Sequence, residues 1–404
     1  MLSPSFRRLA WSNLLAQSAE QLSLAAVPIV AVLLLHAGPG EIGFLASIQS
    51  LPFLLLSIPW GLLADRTSRK RLMVLAESLR ALALLLLFAL VASDKVSIGA
   101  LAIIGFMAAV GTVAFSVAAP SLVPALVPVA GLARANGRLE LARSTAFAAG
   151  PALAGALIAW TGASAAFVLS GMLSLVAVLF LRGIAEPVRA PLPPRHPLLE
   201  LKDGALWVWR SDLLRPIMFT SILWNIAWFM LQAAYVPYAI RVLGLDASGV
   251  GVTLACYGVG MVVGALLAPR VVGALPFGQA ILLGPYFSVL AALTMALSLV
   301  WPHGWMAALS YFFFGVGPII WTITSTTLRQ TVTPRAMIGR VTSINIVAST
   351  GARPIGAALG GFVGITWPVS VSLWLVVAGF TVQAIVITAS KVRTLKRLPD
   401  PLPD

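Results

Sequence analysis

Charge and cysteine are what this sequence has least of. Only 10% of its 404 residues are charged, whereas a soluble domain carries about 25%. The single cysteine, Cys256, excludes an internal disulfide and a metal site built from several cysteines. The three histidines, His36, His196 and His303, are far apart along the chain, so no metal cluster is visible. A large soluble helical protein is disfavoured because the polar helix faces that it needs are missing.

Signatures of nucleotide hydrolysis and of catalysis are missing as well. No Gly-x-x-x-x-Gly-Lys-Ser/Thr loop occurs, which disfavours an ATP-driven protein of the P-loop class. No Ser/His/Asp constellation stands out. We therefore expect a protein that is not an enzyme and that holds no cofactor or metal.

Long apolar runs are what the sequence has instead, and 59% of the residues are hydrophobic. The runs are about 20 residues long, which is the length that an α-helix needs to cross the hydrocarbon layer of a membrane. They predict an all-α membrane protein with twelve transmembrane helices. The predicted spans are residues 10–35, 41–63, 73–93, 97–127, 138–160, 164–182, 215–241, 249–270, 278–300, 304–328, 341–364 and 367–390.

Basic residues fall almost entirely on one side of this twelve-span threading. The opposite side has only Lys95 and Arg241, while Arg80 and Arg353 lie inside spans. Because positively charged loops stay in the cytoplasm, both termini are predicted to be cytoplasmic. The composition, rich in arginine and alanine, favours a bacterial protein, so we expect it in the cytoplasmic (inner) membrane. The net charge of +14 is thereby explained without nucleic acid.

A proline-rich linker divides the spans six and six. Leucines and tryptophans alternate with charge from Leu198 to Arg210, which predicts a short amphipathic helix on the inner membrane face, with a loose tether as the alternative. The predicted domains are a six-helix bundle at 1–182, a cytoplasmic linker at 183–214, and a second six-helix bundle with a basic tail at 215–404.

The two halves carry a weak internal repeat. Gly137-Arg138 is followed by Gly150-Pro151 in the first half, and Gly339-Arg340 is followed by Arg353-Pro354 in the second. Two parallel six-helix repeats with a substrate path between them are typical of transporters.

A charged turn separates the second and third predicted spans. The stretch from Gly61 to Arg71 contains Asp65 and a run of bases. It resembles the signature that the major facilitator superfamily carries between its second and third helices, although Ser68 stands where members usually have a second glycine. This resemblance implies two pseudo-symmetric six-helix bundles.

A second motif resembles the antiporters of that superfamily. Gly150-Pro151 with Gly155 matches their fifth-helix signature, with Ala154 in place of a glycine, and implies helix bending at Gly150, Pro151 and Gly155. Further stretches are similar to the group of enterobactin exporters and macrolide efflux proteins. These stretches are 120–124, 135–138, 198–215 and 339–341. The resemblance implies proton-driven export of a small, fairly apolar or amphipathic molecule by alternating access. We expect the protein to be a monomer.

One acid lies at membrane depth, which makes it a functional candidate by default. Glu20 is midway along the first span and shares a helical face with Gln17 and Gln21. We expect this face to line a wet cavity and Glu20 to carry the coupled proton. Direct contact with a cationic substrate group, or pairing with a buried partner, are the alternatives. Glu77 and Arg80, three residues apart on the third span, are expected to pair.

Amphipathic ligands bind on apolar walls with a few polar anchors. Amide and aromatic side chains inside the spans, together with the carboxylate of Glu20, are therefore the candidate substrate-binding residues. They are Gln17, Glu20, Gln21, Gln49, Trp224, Asn225, Trp228, Gln232, Tyr235, Tyr257, Trp321 and Asn345. For each aromatic residue, helix packing or contact with lipid is an equal alternative.

The charged turn is expected to act as a gate. We predict that Asp65 meets the inner end of the eleventh span, near Arg353, and that Arg69 reaches Glu140. The complete set of predicted gating residues is Gly61, Asp65, Arg66, Arg69, Glu140 and Arg353. A turn that only anchors the topology is the alternative.

Three functions remain open. The first is proton-coupled export of a siderophore, a macrolide or another drug. The second is import or facilitated passage of a lipid-like or nutrient solute on the same fold. The third is a membrane receptor or scaffold that transports nothing.

Overall fold

The computed structural model describes residues 3–127, 132–186, 197–334 and 337–399. Apart from turns and 3₁₀ structure at Met337 and at Lys391–Thr394, the regular structure of these residues is α-helical. The helices are α1 (Pro4–Leu35), α2 (Pro39–Arg66), α3 (Arg69–Ala92), α4 (Ile98–Leu126), α5 (Leu132–Thr161), α6 (Ala163–Arg182), α7 (Pro197–Arg210), α8 (Leu214–Arg241), α9 (Ala247–Ala274), α10 (Phe277–Leu297), α11 (Gly304–Thr331), α12 (Ile338–Thr366) and α13 (Val369–Thr388).

Twelve of the described helices are long and apolar enough to cross a membrane, which confirms the predicted fold class. They are α1–α6 and α8–α13, whereas α7 lies in the stretch for which an amphipathic helix was predicted. Several helices begin earlier than the predicted spans, because hydropathy marks only the apolar crossing and the helix continues into its polar ends. Ser3 is an example: its hydroxyl oxygen accepts a hydrogen bond from the amide of Phe6 and starts α1 six residues ahead of the predicted span at residue 10.

The chain forms two compact units with the same pattern of helix packing. The first unit comprises 1–194 with 245–255, and the second comprises 195–244 with 256–404. In the first, α1 packs on α5 and α6, and α3 packs on α4 and α6. In the second, α8 packs on α12 and α13, and α10 packs on α11 and α13. The shared pattern is the one that two parallel repeats produce.

Glycines bring helices of the first unit into close contact. A Cβ atom added to Gly150 would lie 2.6 Å from the Cβ of Gln21, and one added to Gly155 would lie 2.3 Å from the carbonyl oxygen of Ala247. Gly155 faces Gly251 across the same contact. The Gly-Pro motif of α5 therefore sits where its backbone approaches α1 and the start of α9, which is how small residues act in membrane helices.

The turn between α2 and α3 is shorter than the sequence predicted. Only Thr67 and Ser68 separate the two helices, since α2 continues to Arg66 and α3 begins at Arg69. The physical reason is a strong helix start. Ser68 caps α3 by accepting a hydrogen bond from the amide of Arg71, so the following bases are already helical.

Helix α7 packs on α12 and α8 within the second unit. Gly204 lies against the backbone of Arg340, and Val208 is buried beside Leu214 and Val341. Asp203 also forms an ion pair with Arg340, at 3.5 Å. These contacts fix one face of α7 on the bundle and leave Trp209 on the exposed side.

Candidate functional site

An ionic cluster lies inside the membrane-spanning part of the first unit, and we define it as Glu20, Glu77 and Arg80. The guanidinium of Arg80 on α3 donates to the Oε2 atom of Glu77 in a very short contact. The other end of that guanidinium is 3.6 Å from the Oε2 atom of Glu20 on α1. The Nη1 atom of Arg80 also donates to the hydroxyl of Thr112, at 3.3 Å.

Burial differs among the members of the ionic cluster. Glu77 is fully buried and Arg80 is 2% exposed, whereas the side chain of Glu20 is 19% exposed. Charges at membrane depth are costly unless they are paired, so Arg80 compensates both acids. With both carboxylates ionised, the three side chains carry one net negative charge. A single proton neutralises them, and such an arrangement is suited to binding and releasing that proton.

The three predicted glutamines of the first unit lie at different helix contacts. Gln17 is half-buried on α1, one turn from Glu20. Gln21 is buried and packs against Gly150 of α5. The side-chain amide of Gln49 donates to the carbonyl oxygen of Leu101 at 3.3 Å, which ties α2 to α4.

An aromatic cluster fills the second unit, and Trp228 lies at its centre. Trp228 stacks on Trp224 with ring centroids 5.2 Å apart, and it contacts the rings of Tyr257, Tyr311 and Phe314 at 5.1, 5.7 and 5.0 Å. Two further rings join the edge of this group. They are Tyr235, at 4.6 Å from Tyr311, and Phe380, at 5.0 Å from Phe314.

Polar groups border the aromatic cluster. The hydroxyl of Tyr311 donates to Oε1 of Gln232 at 2.7 Å. The indole of Trp224 donates to the hydroxyl of Ser288 at 3.3 Å. The aromatic cluster and its border therefore combine ring surface with a few fixed hydrogen-bonding groups, which is the composition of sites for amphipathic molecules.

Arg353 on α12 contacts two side chains of α8. Its Nε atom donates to Oδ1 of Asn225 at 3.2 Å, and its guanidinium lies 5.5 Å from the ring centroid of Phe229. The predicted residues Asn225 and Arg353 are thus brought together within the second unit.

Two other candidates lie elsewhere in the second unit. Trp321 is buried against Ile281 and Leu282 of α10. Asn345 is half-buried on α12. Among the contacts of the described residues, neither side chain joins the aromatic cluster.

The predicted gate is only partly described. Gly61 lies opposite Val117 of α4. The side chains of Asp65, Arg66 and Glu140 lie outside the described residues, so the contacts predicted for Asp65 and for the Arg69–Glu140 pair stay predictions.

A residue that the sequence analysis missed holds this turn. The carboxylate of Glu186 accepts hydrogen bonds from the amides of Arg69 and Lys70, at 3.0 and 3.2 Å, and a very short one from the hydroxyl of Ser68. A carboxylate at a helix N-terminus satisfies free amides and the positive end of the helix dipole. Its only signal in the sequence is an acid shortly after a span. The described residues contain no group of three or more His, Cys, Asp or Glu placed to hold a metal ion.

The chain is similar to known proteins along most of its length. The sequence profile of the Major Facilitator Superfamily matches residues 9–357. The enterobactin exporter EntS of Citrobacter koseri is 26% identical to the chain over 410 residues, which cover 99% of this chain and 95% of the exporter. The EntS protein of Escherichia coli O1:K1 is 24% identical over 381 residues, which cover 89% of this chain and 85% of that protein.

Among solved structures, the D-xylose–proton symporter superposes with a TM-score of 0.75 at 15% identity, covering 98% of this chain and 99% of the symporter. This likeness concerns the fold alone. Together with the profile match and the twelve spans, it leads to one conclusion: the chain is a multi-pass membrane protein that belongs to the major facilitator superfamily of transporters.

Proposed function

We propose that the protein is a secondary active exporter that moves a small amphipathic molecule out of the cell in exchange for protons. It works by alternating access in the bacterial cytoplasmic membrane, with both termini in the cytoplasm. The names of its relatives support export. The Gly-Pro motif of α5, which resembles the antiporter signature, supports the same direction.

The ionic cluster is the observation that carries proton coupling. Glu20 is its least buried member and the one with the longest contact to Arg80. A carboxylate in this position can gain a proton without leaving Arg80 unpaired, because Arg80 keeps its contact with Glu77. Glu20 therefore releases substrate when it is protonated from outside, and it recovers affinity when the proton leaves to the cytoplasm.

The aromatic cluster supports the substrate class. Ring surface and fixed polar groups suit a molecule such as a siderophore or a macrolide. In this proposal Trp224, Trp228 and Tyr257 offer apolar contact, while Asn225 and Gln232 provide polar anchors. The glutamines Gln17, Gln21 and Gln49 remain proposed contacts on the first unit.

The test is transport into inverted membrane vesicles with an acidic lumen, with enterobactin and erythromycin as the probes. The wild type is expected to accumulate at least one of them, and the accumulation should collapse when the proton gradient is dissipated. Movement of a probe out of the vesicles would favour the importer. Absence of flux of either probe under any gradient would favour a receptor or scaffold.

The Glu20→Gln variant separates the possible roles of Glu20. It is expected to lose proton-driven accumulation while it retains substrate counterflow, which needs binding and alternating access but no proton exchange. Loss of both activities would instead indicate substrate contact or a structural role. Glu41→Gln is the matched control, because Glu41 is an exposed acid that accepts from the amide of Gly38 at the start of α2.

A further inference from the structure

Arg80 contacts two acids, Glu77 and Glu20, which differ in burial, in the helix that carries them and in their distance from the guanidinium. Glu77 is fully buried, lies three residues away on the same helix, and makes the tighter contact. Glu20 is on another helix, is partly exposed, and lies 3.6 Å away. The two carboxylates are therefore not interchangeable.

We propose that Glu77 is a positioning residue that sets the proton affinity of Glu20 by acting as the permanent counter-ion of Arg80. This inference rests on the proposed function, in which Glu20 carries the coupled proton. Glu77 stays ionised through the cycle, and only Glu20 gains and loses a proton.

Charge balance explains why a second acid is useful. A guanidinium keeps its charge in proteins. Without Glu77, protonation of Glu20 would leave Arg80 as an uncompensated cation at membrane depth, which is costly. With Glu77, the protonated state contains a neutral Glu77–Arg80 pair, so the cluster cycles between no net charge and one negative charge.

The surroundings of Glu77 favour a fixed role. Its Oε1 atom is buried and has no hydrogen-bond partner among the described residues, so its charge is compensated through Oε2 and Arg80. Exposure of the cluster is confined to Glu20, since Glu77 and Arg80 are both shielded from solvent. A proton thus has access to Glu20 first.

The neighbouring helix α5 has four charged residues in its sequence, Arg134, Arg138, Glu140 and Arg143. Helix α5, which packs on α1, carries Arg143, whose guanidinium lies 5.4 Å from the ring centroid of Phe147. Helix α4 contributes the neutral Thr112 and the ring of Phe115, which lies 5.9 Å from the guanidinium of Arg80. The sequence of α6 has no charged residue before its last position, Arg182. Arg80, whose Nη1 atom lies 3.6 Å from Oε2 of Glu20, is the cation whose effect on Glu20 the geometry supports most directly.

The experiment is a pH titration of the purified protein by infrared spectroscopy, which detects the carbonyl stretch of a protonated carboxylic acid. The difference between wild type and Glu20→Gln isolates Glu20 and needs no substrate. In a Glu77→Gln background, Arg80 is free to pair with Glu20 and the repulsion from Glu77 is gone. The midpoint for Glu20 is then expected to move to lower pH by about one unit, the size of effect that one nearby charge produces.

Controls and outcomes keep the two proposals apart. Glu41→Gln should leave the midpoint unchanged. An unchanged or higher midpoint in Glu77→Gln overturns the positioning role, as does disappearance of the Glu20 signal. If that variant does not fold, Glu77→Asp is the test. Its shorter side chain weakens the contact with Arg80, so the midpoint for Glu20 should shift less but in the same direction. An unchanged midpoint in Glu77→Asp overturns the positioning role. A wild type in which Glu20 never titrates contradicts the proposed function itself.

Discussion

The two units repeat one pattern of helix packing and fill it with opposite chemistry. In the first unit, α1 and α3 enclose Glu20, Glu77 and Arg80. In the second, α8 and α11 enclose the rings around Trp228. The scaffold does not determine which kind of group is buried; the individual side chains do. In the proposed function, the first unit exchanges the proton and the second contacts the apolar surface of the substrate.

The same contrast appears at the proline-bearing motifs of the repeat. In the first unit, Gly150 precedes Pro151 and allows the backbone of α5 to approach Gln21. At the corresponding place in the second unit, Arg353 precedes Pro354 and bonds to Asn225. At the residue before the proline, one half therefore uses close backbone packing and the other a polar contact, although Gly356 also brings α12 close to the backbone of Ile226. The repeat thus preserves the position of the proline but not the role of the residue before it.

The largest expected effect comes from removing the guanidinium of Arg80 from the ionic cluster. Arg80→Met removes the counter-ion of the fully buried Glu77 and a contact of the partly exposed Glu20, and we expect it to cost about 3–5 kcal/mol of stability. Thermal unfolding of the purified protein measures this. The triple variant Glu20→Gln, Glu77→Gln, Arg80→Met removes all three charges and should recover most of the loss. If Arg80→Met is as stable as the wild type, the cluster is not a buried ionic site.

The matching change in the second unit is Trp228→Ala. It removes the central ring of the aromatic cluster and should cost about 3 kcal/mol, as large-to-small changes of buried aromatic residues do. The pH dependence of transport should stay that of the wild type, because no charge is altered. A shift of that pH dependence would contradict the division of roles between the two units.

A smaller effect on stability is expected for Glu186, whose carboxylate caps the start of α3. Glu186→Gln in the first unit weakens the cap on α3 but keeps the size of the side chain. We expect a loss of about 0.5–1 kcal/mol, the range for one charge at a helix terminus. Thermal unfolding of Glu186→Gln beside Glu41→Gln, which alters another acid at a helix start, tests this value. Equal stability of Glu186→Gln and wild type would show that the hydrogen bonds of Glu186 are not stabilising.

The smallest effect is expected for the exposed ion pair of the second unit, where Lys391 contacts Asp212 at 2.7 Å. The hydrogen bond and the charge of Lys391 lower the pKa of Asp212 below its ordinary value of 3.8. A lowered pKa stabilises the folded state above the unfolded-chain value, and that contribution is lost as the pH falls through the folded value. Wild type should thus exceed Asp212→Asn slightly in thermal stability at neutral pH, and the difference should vanish in strong acid. A difference that persists or grows in acid would contradict this assignment.

Much of the fold could be predicted because the membrane leaves few options. A span must be apolar and about 20 residues long, and this alone located the twelve helices. The position of Glu20 was also readable, since an acid inside an apolar run is conspicuous. The pairing of Glu77 with Arg80 followed from their spacing along one helix.

Contacts between helices were harder to predict. The proximity of Glu20 to Arg80 depends on how α1 and α3 pack, which no local pattern records. Trp228 and Trp321 have similar apolar neighbours in sequence, yet only Trp228 joins the aromatic cluster among the described contacts. Tyr311 and Phe314 were missed for the same reason. The cap by Glu186 was missed because it joins positions more than a hundred residues apart.

In the proposed function, one carboxylate of the first unit, Glu20, carries the coupled proton. The direct measurement is proton movement across proteoliposomes that enclose a pH-sensitive dye, following addition of enterobactin or erythromycin to the wild type and to Glu20→Gln. We predict that the wild type moves protons opposite to the transported probe, and that Glu20→Gln moves none while its substrate counterflow continues. Substrate-driven proton movement by Glu20→Gln at the rate of the wild type would contradict the claim.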